Sequence, residues 1–168
     1  EYYSDVWDDR YNADMGYSSG INLYRPSRMR DMLASIYADK LKRFSLLSDN
    51  DRQKLTPFSF CIGKRSAEEE NNTGAVECAD SLGNQMIGLL TASDYINASI
   101  DVNCKNTVSK SCQNYNYLKI KNTAWWLGTA PSFDTNDVYY VNESGYLLYS
   151  NASSLNIIRP TVMLNNNV

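Results

Sequence analysis

The stretch Thr123-Ala124-Trp125-Trp126-Leu127-Gly128-Thr129-Ala130-Pro131 leads into Val138-Tyr139-Tyr140-Val141-Asn142-Glu143-Ser144-Gly145-Tyr146-Leu147-Leu148-Tyr149 and closes with Ile157-Ile158-Arg159-Pro160. Its reading decides the fold. Two apolar, aromatic-rich runs flank Asn142 to Gly145, and Gly145 can take the positive φ that a four-residue hairpin loop needs. The pattern predicts β structure through residues 138–149 and a final strand from Pro160 to Leu164. On a strand, Trp125 and Trp126 leave on opposite faces. Both are expected mainly to serve packing; the alternative is that one stays partly exposed, where an aromatic face could meet a sugar or peptide at little entropic cost.

Upstream, Thr91-Ala92-Ser93-Asp94 has the hydroxyl and carboxylate spacing of a helix cap, which predicts a helical turn over residues 92–97. The apolar run Met86 to Leu90 reads as a buried strand, and Phe58-Ser59-Phe60-Cys61-Ile62 as a short one. Between Ser27 and Phe44, Met29, Met32, Leu33, Ile36, Tyr37, Leu41 and Phe44 recur at three and four residue intervals, the signature of an amphipathic helix. Lys40, Lys42 and Arg43 suit the negative end of its dipole. A second short helix is expected after Ser48, whose spacing to Asp51 resembles a capping box, ending before Pro57. Residues 1–20 read as an N-terminal extension, aromatic enough that part of it should pack on the domain as an edge strand or short helix. The expected fold class is α+β: a single domain over residues 21–168 with an N-terminal amphipathic helix and a C-terminal antiparallel sheet.

At 168 residues the chain can bury about two thirds of its unfolded surface, so no metal is needed for folding. Histidine is absent, which removes the usual general base and the commonest zinc ligand. The net charge of -3 is unevenly spread: residues 1–14 carry five acids against Arg10, and residues 25–65 carry ten Lys/Arg against four acids. A solvated helical face accounts for the basic stretch, and no recognition motif for nucleic acid accompanies it. The four cysteines allow three connectivities. Closure of short, floppy loops favours pairing Cys61 with Cys78 and Cys104 with Cys112. Such crosslinks imply an oxidising, extracytoplasmic setting. No apolar run approaches the roughly 20 residues of a membrane span, and the first residue is not Met. The chain therefore reads as part of a longer protein that meets a membrane only through a segment outside this sequence.

Asp134, Asn136 and Asp137 are oxygen donors of the kind calcium takes, but the spacing of a known calcium loop is missing, and turn chemistry is the expected role. No metal or cofactor is expected. Arg159, before Pro160, should hold carbonyls or a carboxylate inside the fold. Sequons begin at Asn71, Asn97, Asn142 and Asn151.

The order Leu89-Leu90-Thr91-Ala92-Ser93-Asp94-Tyr95, Tyr115-Asn116-Tyr117-Leu118, Ala124 to Pro131, Val138 to Gly145 and Ile157 to Leu164 resembles a family of Gram-positive bacterial surface proteins. Its members carry Trp-Trp-x-x-x-x-Pro, a Tyr-Val-(Asn/Asp)-x-x-Gly hairpin and a terminal Val-Arg-Pro strand. The segment Cys61 to Ser66 is similar to a further element of that family, so the likeness spans roughly residues 36 to 165. Some members look like pilin-type or membrane-anchored ectodomains. The Trp/Gly/Arg-Pro pattern in turn resembles C-type-lectin-like and sulfatase-modifying-type folds, which implies a closing strand near the domain start. The signatures of calcium-dependent sugar binding are missing, so calcium lectin activity is not implied, and the sequons read as coincidences of Asn and Ser richness.

The expected function is a non-enzymatic, extracellular recognition or adhesion domain of a bacterial surface or pilus protein. Its partners would be a glycan or protein on a host or neighbouring cell, and not nucleic acid. Trp125, Trp126, Asp134, Asn136, Asp137 and Asn142 are the candidate binding residues. A structural pilin-like head that contacts neighbouring subunits is the alternative, and a hydrolase using carboxylates alone is a distant third.

Overall fold

The computed structural model describes residues 3–38, 48–66, 74–101 and 116–165. In chain order the elements are β1 (Ser4–Val6), α1 (Arg28–Ala38), α2 (Asp49–Gln53), β2 (Leu55–Thr56), β3 (Phe58–Cys61), a 3-10 turn (Glu77–Ala79), β4 (Ser81–Gln85), β5 (Gly88–Leu89), α3 (Ala92–Asn97), β6 (Trp125–Trp126), β7 (Asp137–Val141), β8 (Leu147–Asn151), β9 (Leu155–Ile157), β10 (Pro160–Thr161) and β11 (Met163–Leu164). The architecture is α+β, mostly sheet with few helices. Lys40, Lys42, Arg43, Cys104, Cys112, Tyr115 and Asn71 lie outside the described residues, and so do the second expected disulfide and the end of the long helix.

The principal sheet has the order β1-β9-β6-β7-β8. β7 and β8 form the expected hairpin, with Val138 opposite Ser150 and Tyr140 opposite Leu148. Its turn closes by a Gly145 N–H to Asn142 carbonyl bond, and Gly145 sits at φ 87°. The sheet is mixed rather than purely antiparallel, because β6 runs parallel to β9 while pairing antiparallel with β7. The expected final strand is divided. β10 pairs with β5 and β11 with β2, so the chain changes partner at Val162. β4, which pairs with β3, was not legible in its polar Ser-Leu-Gly-Asn-Gln sequence.

The central position of β6 explains the Trp pair. Trp126 belongs to a core with Trp7, Tyr24, Met29, Leu33 and Phe60, whereas Trp125 joins Tyr95, Leu127, Tyr139 and Val141 in a second core. Opposite faces of one strand thus anchor two cores. Trp126 meets Trp7 edge-on at 6.3 Å, and Trp125 meets Tyr95 at 5.7 Å. Gly128 completes the junction: a Cβ there would lie 2.4 Å from the Phe60 ring.

Residues 3–20 are built into this arrangement rather than appended to it. β1 pairs with β9, Trp7 is fully buried, and the Trp126 indole donates to the Asp5 carbonyl at 3.0 Å. The buried Asp8 carboxylate accepts from the Arg28 N–H at 3.3 Å, at the positive end of α1, and pairs with Arg10 at 2.7 Å. Ser27 caps the same helix by accepting from the Arg30 N–H at 3.1 Å. Arg28 also reaches Asp5 and Asp9. Arg28 of the basic stretch is thereby paired with two acids of the N-terminal one.

A buried polar cluster ties the disulfide region to α3. Cys61 is bonded to Cys78. Next to Cys78, Glu77 pairs with Arg65 at 3.1 Å and accepts from the Ser93 hydroxyl at 2.8 Å, while Arg65 donates to that hydroxyl at 2.7 Å. Thr91 and Asp94 form the expected capping box at the start of α3. Ser48 and Asp51 do the same for α2.

Candidate recognition surface

The sequence-derived candidates separate once placed. Trp125 and Trp126 are both 0% exposed, so neither offers a ring face to a ligand; the central strand is covered on both sides. Arg159 lies 4.9 Å over the Trp125 ring and donates to the Leu118 carbonyl, the internal role expected of it. Asn142 spends its side-chain oxygen on the Ser144 and Tyr146 N–H groups at 3.0 and 2.8 Å, stabilising the hairpin turn. Asp134 does likewise for its own loop, accepting from the N–H groups of Asn136 at 2.6 Å and Asp137 at 3.1 Å. Asn136 is buried. Among the described residues no group of three or more acids or cysteines could hold a metal ion. Asp137 has a carboxyl pKa raised above the ordinary value, first by burial and then by the nearby Asp134 charge.

The 131–137 loop is held in place by the N-terminal segment. The Asn22 amide donates to the Asp134 carbonyl at 2.8 Å, and the Asn22 N–H donates to the Thr135 carbonyl at 2.9 Å. Asn12, also buried, donates to the Gly20 carbonyl at 2.8 Å and to the Thr135 carbonyl at 3.3 Å. Between these two segments lies an open cleft of about 230 Å³, lined by Asn12, Ala13, Asp14, Ile21, Asn22, Leu23, Lys64 and Thr135. The Lys64 ammonium donates to the Asn22 side-chain oxygen at 2.7 Å. Burial lowers its pKa from the ordinary lysine value, and Asp134 pulls in the opposite direction.

Aromatic side chains that do face solvent lie elsewhere than the Trp pair. Phe133, on the same loop as Thr135, packs edge-on against Tyr149 of β8 at 5.2 Å, and the two are 50% and 47% exposed. Tyr149 also meets Tyr139 at 6.0 Å. Tyr11 and Tyr17, which flank or pair with Asn12 at the cleft, are exposed too. Phe133 and Tyr149 were not among the candidate binding residues. The sequence signal was partial: Phe133 sits in a polar loop, but Tyr149 shares a sheet face with the buried Tyr139 opposite it, and it is exposed because β8 is the edge strand.

No protein-family model, curated protein or solved structure matches the chain. Among the described residues no helix is long and apolar enough to cross a membrane.

Proposed function

We propose that this chain is a non-enzymatic, extracellular recognition domain of lectin-like cast, carried by a bacterial surface or pilus protein and used in adhesion to a glycan or protein. The observation that carries the reading is the exposed Phe133–Tyr149 pair, in which Phe133 belongs to the loop that also walls the open cleft. A solvent-facing aromatic pair beside hydrogen-bonding groups buries area on a ligand at low entropic cost. The Cys61–Cys78 disulfide is compatible with an oxidising compartment. Pairing of β1 with β9 brings the domain start to its closing segment, which supports the lectin-like cast.

Binding to arrays of glycans and surface proteins tests the reading, with the wild type compared against a Phe133→Ala/Tyr149→Ala variant of matched thermal stability. Saturable binding that the double variant loses is expected. A folded wild type that binds nothing at high concentration would sink it.

One observation favours a second reading, a structural head in contact with neighbouring subunits. β8 is an edge strand of the principal sheet and presents Leu148 and Tyr149 outward. Concentration-dependent self-association in sedimentation would favour this alternative over a ligand on another cell. The carboxylate-only hydrolase remains the weakest reading: the Asp134 charge helps raise the Asp137 pKa, but neither residue lines the cleft.

A further inference from the structure

We infer that the cleft between residues 12–23, Lys64 and Thr135 is a subsite for one acidic sugar unit, with the Lys64 ammonium holding the carboxylate. The inference rests on the recognition reading and assigns a ligand class to a place on that surface.

Size comes first. At about 230 Å³ the cleft is smaller than the roughly 300–1,000 Å³ of sites that enclose drug-sized ligands, so it suits one ring rather than a whole oligosaccharide. Its polar groups then divide into those already used and those available. The Asn12 amide is committed to Gly20 and Thr135, and the Asn22 amide to Asp134. Lys64 has three N–H donors, of which Asn22 takes one. Because Asn22 is buried and fixed by the 131–135 loop, the ammonium is positioned before any ligand arrives. Its hydrogen-bond partner is a neutral amide, and the Asp134 charge acts on it without forming an ion pair among the described residues. Partial burial disfavours the charge, and an incoming carboxylate would offset that cost.

The remaining lining groups narrow the class. Asp14 has an exposed carboxylate able to accept hydroxyl protons, and the Thr135 hydroxyl can donate. Ile21 and Leu23 supply an apolar wall for the C–H face of a ring. An inorganic anion would leave that wall unused. A fatty acid would bring no hydroxyl to Asp14, and a neutral sugar would bring no carboxylate to the remaining Lys64 donors. An acidic sugar uses all three.

Titration of the isotope-labelled protein with D-glucuronate, followed by amide NMR at fixed ionic strength, tests this. Glucose, glucuronamide, acetate and glycine serve as comparison ligands. Glucuronate should shift amides of residues 12–23 and 64 saturably and bind about ten-fold or more tightly than each of the others. Lys64→Gln should remove that advantage and Lys64→Arg should restore most of it. Should Lys64→Gln fail to fold, glucuronamide on the wild type makes the same comparison without a mutation. Equal binding of glucose or glucuronamide, or no saturable shift at these residues, overturns the subsite. Equal or tighter binding of acetate or glycine overturns the sugar and leaves only a carboxylate site. Array binding lost in the Phe133/Tyr149 variant while the cleft stays silent would defeat this inference and leave the recognition reading standing.

Discussion

Glu77 places a carboxylate where water does not reach, and its charge is tolerated because Arg65 and Ser93 surround it. Removing one partner of a buried pair leaves the other charge uncompensated, at a cost of about 3–5 kcal/mol. Glu77→Ala should therefore lose about that much in urea unfolding; a loss under about 1 kcal/mol would mean the remaining contacts of Arg65 suffice. Nothing in the local sequence marks Glu77, which stands a few residues beyond a run of three glutamates in the same polar stretch. Its partners are 12 and 16 residues away, so the pairing exists only after folding. The Trp pair is the converse case. That the two side chains diverge was readable from strand geometry, but their exposure was not, because it depends on what covers each face.

Among the elements, those with local causes were the legible ones. The capping boxes at Ser48 and Thr91 follow from side chains three residues apart, and the β7–β8 hairpin from its turn. β4 and the divided closing strand depend on distant partners and left little trace in sequence. The disulfide between Cys61 and Cys78 spans 17 residues and clamps β3 against the 3-10 turn that carries Glu77. Loop closure on this scale is worth about 3 kcal/mol. A Cys61→Ala/Cys78→Ala variant should lose stability of that order in urea titration, with little change in a folded far-UV spectrum under native conditions. An unchanged midpoint would show that packing alone fixes the loop.

For the molecule as a whole, the N-terminal stretch is a structural member. Deleting residues 1–20 removes β1, Trp7 and Asp8 together, so the truncated chain should lack the near-UV signal of fixed aromatics and should not melt cooperatively. A native-like melt would return that stretch to the status of an extension. Global stability should also respond to Asp137. Its carboxyl pKa is higher in the folded protein than the ordinary 3.8, so the native state holds its proton longer than the unfolded chain. Stability contributed by the neutral form is full below the ordinary value and is lost as pH rises through the folded pKa. Asp137→Asn should consequently raise the melting temperature at pH 7 and lose that advantage at the acid end of the range. An advantage independent of pH would assign the effect to something other than ionisation.

By itself the sequence determined the α+β class, both capping boxes, the closing hairpin, the Cys61–Cys78 link and the turn roles of Asp134 and Asn142. Each of these depends on residue spacing or on short loops, where a few side chains decide the local free energy. Tertiary structure alone decided that neither Trp keeps an exposed face, that Phe133 and Tyr149 are the aromatic pair at the surface, and that Lys64 stands in a cleft made by residues 12–23. Burial is a property of what packs against a side chain. Here that covering comes from other elements of the chain, Tyr95 for Trp125 and the distant Trp7 for Trp126, at separations over which periodicity carries no information.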